Sequence, residues 1–306
     1  MALLPPFFLD TVVAIGIGDD PNNRHWIGTG FIYGNLVPSD GKTQKNIKSY
    51  RLWLITNKHV LQGLKSVYIK FNSATEPNST DYLVNLIARN GRKLWIGHSN
   101  EDTDVAAIFL NAGFLNSENR GFAFVRSDEH VLSKHQMVSE RISEGDRLFV
   151  LGFPMGLVAS ERQYVICRSG TFARIRDYLD GRTSDYLVDA PVFPGNSGGP
   201  VIICPSGLAI TGTNPIKKAD FIGVVKSYVP YRDAAISQQT RRPRIIFEEN
   251  SGLAAVEGAQ SVIETVELAE KRFKGRQSQA KYRAQKQISN NSVEQNTPTE
   301  VDLQRH

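Results

Sequence analysis

The stretch that decides the fold is Pro194-Gly195-Asn196-Ser197-Gly198-Gly199-Pro200, in which a serine lies between glycines on both sides. Gly195 permits a sharp backbone turn, which lets the amides of Gly195 and Ser197 point toward one position. Such a pair suits acyl transfer, because the hydroxyl attacks a carbonyl while the amides stabilise the oxyanion. The alternative interpretation is a glycine-rich turn with an incidental serine. The heptapeptide predicts Ser197 as a nucleophile, with an oxyanion hole at Gly195 and Ser197.

A serine nucleophile needs a base, and His59 is the best placed of the six histidines. It closely follows an apolar, strand-like run, residues 52–56, whereas the other histidines lie in polar or loop-like contexts typical of a solvated surface. The acid that would orient the base is best placed at Asp104, directly before the apolar run 105–110, and Asp102 is its competitor. The chain order His59, Asp104, Ser197 is that of chymotrypsin-type enzymes.

These motifs resemble those of the trypsin-like (chymotrypsin-fold) serine peptidases and, within them, of the bacterial HtrA-type branch. The resemblance covers about residues 8–270 and rests on stretches similar to the family motifs, which are Gly28-Thr29-Gly30-Phe31-Ile32, Leu54-Ile55-Thr56-Asn57-Lys58-His59-Val60, Asp104-Val105-Ala106-Ala107-Ile108, Leu151-Gly152-Phe153-Pro154-Met155-Gly156, Asp189 to Pro200, Ile222-Gly223-Val224-Val225 and Glu249 to Ala254. No PDZ-like module is recognisable after them, which departs from the usual HtrA arrangement.

Short strand-like runs between turn signals, without βαβ alternation, predict an all-β protein. The resemblance implies two antiparallel six-stranded β-barrels, with His59 and Asp104 from the first and Ser197 from the second. We expect a peptidase domain over residues 1–274, with its lobe boundary near 115–140. Two polar excursions, Asn35 to Tyr50 and Gly212 to Asp220, are expected to be loops near the cleft. From Val256 onward the apolar spacing predicts a C-terminal helix, packed on the second barrel or forming a coiled-coil seam.

The resemblance also places a substrate pocket. Its base falls at Pro191 and Val192, and its walls fall at the backbone of residues 226–228 and at Gly252; the wall residues are Lys226, Ser227 and Tyr228. No acid stands at the base, so we expect an apolar rather than a basic P1 residue. Lys226 occupies a position where a small residue is common, and it either faces solvent, perturbs Asp104 or favours acidic substrates.

Asn196 replaces the aspartate with which many secreted relatives bind a new N-terminus after zymogen cleavage. Asn196 cannot form that ion pair, so we expect no proteolytic activation and control by loop ordering or by a regulatory protein partner.

The composition of the chain indicates in which cellular compartment this chemistry would take place. The sequence contains no run of 18 apolar residues, so it predicts no transmembrane helix, and the N-terminus lacks the basic region of a signal peptide. Secreted relatives usually carry several disulfides, whereas this chain has only Cys167 and Cys204, which we expect to be reduced in the cytoplasm. The proposed chemistry needs no cofactor and no metal.

The excess positive charge lies in the tail. Residues 271–306 contain eight basic and three acidic residues, a net charge of +5 that equals that of the whole chain. We expect residues 275–306 to be a disordered Gln-, Asn- and Ser-rich tail, either simply solvated or contacting nucleic acid or an anionic surface. Three functions therefore remain: an intracellular serine endopeptidase acting on protein or peptide substrates, a catalytically latent or inactive peptide-binding protein, and a factor acting through the basic tail.

Overall fold

The computed structural model describes residues 3–38, 48–207 and 214–294. Antiparallel strands form two lobes, and a long helix follows them. The strands of the first lobe are β1 (Val12–Ile17), β2 (His25–Val37), β3 (Ser49–Thr56), β4 (Ser66–Ser73), β5 (Ser79–Asn85), β6 (Trp95–Gly97), β7 (Ala106–Leu110), β8 (Arg120–Gly121) and β9 (Val125–Arg126). Those of the second are β10 (Arg147–Gly152), β11 (Ile166–Arg174), β12 (Asp185–Asp189), β13 (Pro200–Ile203), β14 (Phe221–Ile236) and β15 (Pro243–Gly258).

Short helices connect these strands. The α-helices are α1 (Lys58–Leu61), α2 (Ala112–Ser117), α3 (Lys134–Ser139), α4 (Arg176–Leu179) and α5 (Ala259–Glu294), and single 3₁₀ turns form at Pro6–Thr11, Pro21–Asn23 and Pro154–Gly156. The predicted loop Asn35 to Tyr50 is shorter than expected, because β2 runs to Val37 and β3 begins at Ser49. Its residues 39–47 lie outside the described part of the chain, as do residues 212–213 of the second predicted excursion and residues 295–306 of the tail.

The first lobe is a curled sheet of nine strands rather than a closed six-stranded barrel, which corrects the sequence prediction. The main path runs β5-β4-β1-β2-β3-β7-β6, with β8 on β4 and β9 on β2. Just beyond the ends of β5 and β6, the described residues form a single bridge, between Ile87 and Lys93, and no ladder joins the two end strands. Alternate residues of β4, Val67, Ile69 and Phe71, face the buried core inside the curl.

The second lobe is the predicted six-stranded antiparallel barrel, closed in the order β10-β11-β12-β15-β14-β13. Its core is a separate apolar cluster that includes Val150, Val188, Val201 and Val256, all fully buried. Strand β13 is buried at all four residues, and its alternate residues Val201 and Ile203 belong to this core. The strands β14 and β15 each have 16 residues and extend well beyond the barrel.

The chain divides into two compact units, Met1–Val266 and Glu267–His306. Within the first unit, α5 starts directly after β15, and its residues Ala259, Val262 and Val266 are buried, so the predicted C-terminal helix is confirmed. The described part of the second unit is the continuation of α5 to Glu294. Of the helices in the described ranges, none combines the length and apolar character needed to cross a bilayer. The domain limit at residue 274 stays a prediction.

Candidate active site

The loop before β13 holds Ser197 in a backbone conformation that needs its glycines. Gly195 and Gly198 have φ angles of +95° and +86°, which lie in the left-handed region. A side chain at residue 198 would also collide with the carbonyl oxygen of Thr29. The loop is fastened from both lobes, because the Thr29 amide donates to Ser197 O at 2.9 Å and the Gly198 amide donates to Val225 O at 2.9 Å. The serine is therefore placed where the two lobes meet.

Two amides beside Ser197 are free to bind an anion. The Met155 amide donates to Pro194 O at 2.6 Å. All peptide bonds in the described structure are trans, so the Gly195 N–H points opposite to that carbonyl. Across the described ranges, neither the Gly195 amide nor the Ser197 amide has a protein acceptor. The two amides that are predicted to form the oxyanion hole therefore have no protein acceptor within the described ranges, and both lie close in the chain to the serine hydroxyl.

His59 is held by the carboxylate of Asp104. The histidine lies in α1, directly after β3, and its Nδ1 is 2.5 Å from Asp104 Oδ2. The other carboxylate oxygen accepts the His59 amide at 3.1 Å, and Asn57 Nδ2 donates to Asp104 O at 2.6 Å. Because Asp104 occupies Nδ1, the Nε2 atom of the imidazole is left for exchange with a substrate or nucleophile. The competitor Asp102 makes a different contact, since its carbonyl accepts a hydrogen bond from Lys226.

The environment keeps Asp104 ionised. Burial alone would raise the pKa of Asp104, but the hydrogen bond from His59 and its favourable charge interaction outweigh burial, so the pKa lies below its usual value. The His59 side chain is 50% exposed and that of Asp104 is 17% exposed. The imidazole therefore faces the solvent-accessible cleft, while its carboxylate partner lies behind it.

The histidine and serine segments are neighbours, although their side chains are not hydrogen-bonded to each other. A Cβ on Gly28 would lie 3.4 Å from Ser197 O and 2.8 Å from the Val60 side chain, so Val60 and the serine loop flank the same glycine. The Ser197 hydroxyl donates instead to the backbone oxygen of Lys226, at 3.2 Å. Catalytic hydrogen bonds are often formed only when substrate is bound, so this geometry is compatible with a resting enzyme.

Lys226 is not the free, solvent-facing lysine that the sequence allowed. Its Nζ lies 3.0 Å from Glu257 Oε1 and 3.3 Å from Asp185 Oδ2. Burial alone would lower the pKa of Lys226, but these two carboxylates outweigh burial and raise it. The lysine is therefore charged and largely neutralised by its own chain, which leaves little of its charge for an acidic substrate.

Glu257 is a site residue that the sequence analysis missed. Its side chain is fully buried, and Oε1 accepts the Asp104 amide at 2.9 Å as well as pairing with Lys226. It thus links β15 of the second lobe to the residue that holds His59. The available signal was an acid ending an otherwise apolar run, Leu253-Ala254-Ala255-Val256. A buried carboxylate in such a run requires a cationic partner.

The predicted pocket residues lie on adjacent segments of the second barrel. Asn250 joins two of these segments, because its Nδ2 donates to Val192 O at 2.6 Å and its Oδ1 accepts the Gly252 amide at 2.9 Å. Val192 packs in the barrel core, whereas Pro191 is exposed. On the wall strand β14, Ser227 is exposed, and Tyr228 donates its hydroxyl to Glu248 at 2.6 Å.

One carboxylate near this pocket was not anticipated. Asp189 Oδ1 lies 3.9 Å from the position of a Cβ on Gly252. The absence of an acid at Pro191 and Val192 therefore does not exclude a negative group beside the predicted wall. A substrate test must compare apolar with basic P1 residues.

Two further histidines of the described residues have partners away from His59. His98 is paired with Glu264 at 2.9 Å and its side chain is 9% exposed, so it is not the solvated histidine expected from sequence. His130 packs against Phe7, with ring centroids 4.5 Å apart. Within residues 3–38, 48–207 and 214–294, no group of three His, Cys, Asp or Glu side chains is arranged to hold a metal ion.

Comparison with known proteins identifies the family of the chain. A family model described as "Trypsin-like peptidase domain" matches residues 28–210, which is more than half of the chain. The chain is also similar to the solved structure of the HtrA-type protease AlgW with a tripeptide, at 16% identity and a TM-score of 0.43, over 85% of this chain and 60% of that one. It therefore spans less than two thirds of that protein, and no residue assignment rests on this match. No curated protein shows significant sequence similarity to the chain.

Proposed function

Because the chain belongs to the family of trypsin-like peptidase domains, we propose that it is a serine endopeptidase that uses His59, Asp104 and Ser197. The observation that carries the proposal is the His59–Asp104 pair, 2.5 Å apart, held beside a serine loop with two free amides. Each member of the group has the chemical property that its role requires: an exposed imidazole, an ionised carboxylate and a hydroxyl in an open glycine-rich turn.

The reaction begins when Ser197 Oγ leaves the Lys226 carbonyl and attacks the carbonyl carbon of the scissile peptide bond. His59 Nε2 accepts the hydroxyl proton, and Asp104 stabilises the resulting imidazolium through Nδ1. The amides of Gly195 and Ser197 bind the oxyanion. Collapse of the tetrahedral intermediate breaks the C–N bond, His59 donates its proton to the leaving amine, and water then hydrolyses the acyl-enzyme by the same steps.

The substrate is proposed to be a protein or peptide with an apolar P1 side chain. Gly252 leaves room at the predicted wall, and the exposed Pro191 supplies an apolar surface at the predicted base, whereas Val192 packs in the barrel core. The nearby Asp189 makes a basic P1 residue the competing possibility. Profiling of cleavage products from a peptide library distinguishes them, because apolar P1 residues would be enriched in one case and Arg or Lys in the other.

Asn196 supports the proposal that no zymogen cleavage is needed. The residue is 1% exposed, and its Oδ1 accepts the Phe193 amide at 3.1 Å. The side chain thus closes its own loop, and as a neutral amide it cannot form an ion pair with a newly formed N-terminal amine. We expect full-length protein to have the same activity as any N-terminally processed form.

A latent peptide-binding protein is the second candidate, and one observation favours it. The Ser197 hydroxyl is bonded to Lys226 O, and within the described residues no hydrogen bond joins it to His59. In this alternative, a regulatory protein partner reorients the serine, or the cleft binds peptides without cleaving them.

An intracellular location is part of the endopeptidase proposal, and it is supported by Cys167 and Cys204, which form no disulfide.

The basic segment within residues 271–286 provides a possible contact with nucleic acid or an anionic surface. Deletion of residues 275–306 separates this role from catalysis. If the segment is an independent contact, the truncated protein keeps its peptidase activity and loses binding to nucleic acid or anionic vesicles. If the activity is lost instead, the segment belongs to the peptidase.

The decisive experiment is labelling by a fluorophosphonate probe, which reacts only with an activated serine. We expect the wild type to be labelled and Ser197→Ala and His59→Ala to be unlabelled, with Ser169→Ala as the matched serine control that stays labelled. Circular dichroism must show that all variants are folded. A folded wild type that resists labelling and cleaves no peptide would contradict the peptidase proposal and favour the latent form.

A further inference from the structure

The strands β14 and β15 continue as a two-stranded ribbon beyond the barrel. Pairing of β14 with β13 ends at Val224, and pairing of β15 with β12 begins at Leu253. Between these points the two strands pair only with each other, from Pro230 opposite Asn250 to Ile236 opposite Pro243. We call residues 230–250 the β-arm. Every residue of the arm except Pro230 and Ser237 is exposed.

The β-arm carries apolar side chains that nothing in the described structure covers. Ile245, Ile246 and Phe247 are 56%, 66% and 52% exposed. Successive strand residues point to opposite faces, so both faces of the ribbon are apolar here. A two-stranded ribbon is marginally stable in water, and an exposed edge with apolar side chains readily pairs with another strand. Such a surface indicates a partner.

The two outer edges of the β-arm differ in how well they are protected. On β14, Pro230 lacks an amide donor and is followed by the charged pair Arg232 and Asp233. These features discourage further strand pairing. On β15, Pro243 is the first residue of the strand, so the residues that follow it keep their amide donors. Three apolar residues follow one another there between Arg244 and Glu248, and no strand within the described ranges pairs with this edge. The edge of β15 is therefore the one open to a partner strand.

The sequence of that edge is complementary to itself. We propose that the β-arms of two copies of this chain pair along their β15 edges, antiparallel, about a two-fold axis at Ile246. Arg244 then faces Glu248 of the other copy, and Ile245 faces its Phe247, while Ile246 faces its own counterpart. A two-fold contact needs one self-complementary patch, and opposite charges across neighbouring strands stabilise the pair.

The charges favour this register over its neighbour. Within the described residues, Arg244 has no ion pair, whereas Glu248 accepts the Tyr228 hydroxyl at 2.6 Å and Arg232 Nε at 2.9 Å and retains solvent access, with its side chain 38% exposed. A two-fold axis at Phe247 would instead place Ile246 opposite Glu248. Of these two registers, the axis at Ile246 is therefore the one that places apolar side chains opposite each other and Arg244 opposite Glu248.

The first test is the mass of the full chain in solution, measured by light scattering after size exclusion from low to high micromolar concentration. We expect twice the chain mass at the upper end, with dissociation on dilution, because a contact of five residues from each copy, 244–248, is small. Ile246→Asp places two carboxylates on the axis and should give the monomer mass at all concentrations. Ile236→Asp, an equally exposed position on β14, is the matched control and should remain dimeric.

Cross-linking tests the register. In a Cys167→Ser, Cys204→Ala background, Ile246→Cys should oxidise to a covalent dimer, because directly opposite Cα atoms about 4.5–5.5 Å apart suit a disulfide. Ile236→Cys should not. Arg244→Glu and Glu248→Arg should each be monomeric alone, yet form a heterodimer when mixed, since the mixture restores both ion pairs.

Three outcomes would overturn the inference: a wild type that is monomeric throughout, a dimer that survives Ile246→Asp, or charge variants that fail to associate when mixed. Circular dichroism and melting of each variant must match the wild type, so that loss of the dimer is not loss of the fold. The labelling of Ser197 is measured separately and does not enter this test.

Discussion

Replacing Lys226 with methionine tests the ion pair behind Asp104. The change keeps most of the side-chain volume and removes the only cation that contacts Glu257 within the described residues. Charges 3.0 Å apart attract by about 5 kcal/mol at an effective dielectric constant of ~20. Removing one partner of a buried pair typically costs about 3–5 kcal/mol. Because Lys226 is 27% exposed, we expect the lower end, a loss of about 3 kcal/mol in the free energy of unfolding.

The matched variants separate charge from packing. Glu257→Gln keeps an oxygen for the Asp104 amide and leaves Lys226 paired with Asp185, so we expect a loss of only about 1 kcal/mol. The double variant Lys226→Met, Glu257→Gln buries no charge and should recover most of the stability lost by Lys226→Met alone. Urea unfolding measures the free energies, followed by circular dichroism as well as fluorescence, because all three tryptophans, Trp26, Trp53 and Trp95, lie in the first lobe.

The same variants report on the active site. Since Glu257 accepts the Asp104 amide, an uncompensated charge there should disturb the His59–Asp104 pair and lower kcat more than it changes KM. The reasoning is refuted if Lys226→Met loses less than about 1 kcal/mol, or if the double variant is as unstable as the single one.

Three further outcomes are expected. Asp104→Asn should lower kcat about 10⁴-fold, measured with a peptide substrate, because the amide no longer fixes the imidazole tautomer; an unchanged rate would remove Asp104 from the mechanism. Gly198→Ala should cost at least about 2 kcal/mol by urea unfolding, because of its φ of +86° and the Thr29 carbonyl, and Gly207→Ala, with open space, is its control. The third outcome concerns Glu144. Burial would raise the pKa of this carboxyl, but backbone amides and Arg176 hold it at about 2.

That carboxyl should make stability depend on pH in a defined range. A lowered folded-state pKa stabilises the protein above the usual glutamate value, and this contribution is lost as the pH falls from about 4.5 to about 2. Glu144→Gln should therefore flatten the curve of unfolding free energy in that range, by about 1 kcal/mol after allowing for the exposure of Arg176. An unchanged curve would contradict the assignment.

Features that depend only on neighbouring residues could be predicted from the sequence. The turn around Ser197 depends on glycines at fixed positions, and α1 with His59 directly follows a buried strand, so both could be read from neighbouring residues. The helical spacing predicted the start of α5, and the strand pattern predicted the all-β class, whereas the closed six-stranded second barrel was implied by the resemblance to the trypsin-like peptidases.

Only the tertiary structure decided how distant residues meet. It placed the carboxylate of Asp104, which the sequence had favoured over Asp102, against His59, and it paired Lys226 with Glu257, 31 positions away in the chain. It also left the sheet of the first lobe open and extended β14 and β15 beyond the barrel. The length of a strand and the long-range partners of a side chain depend on packing across the whole fold. A buried charge such as that of Glu257 is tolerated only if a residue on another strand supplies the opposite charge. Neighbouring residues determine a turn or a helix start, whereas such pairings exist only once the lobes have closed on each other.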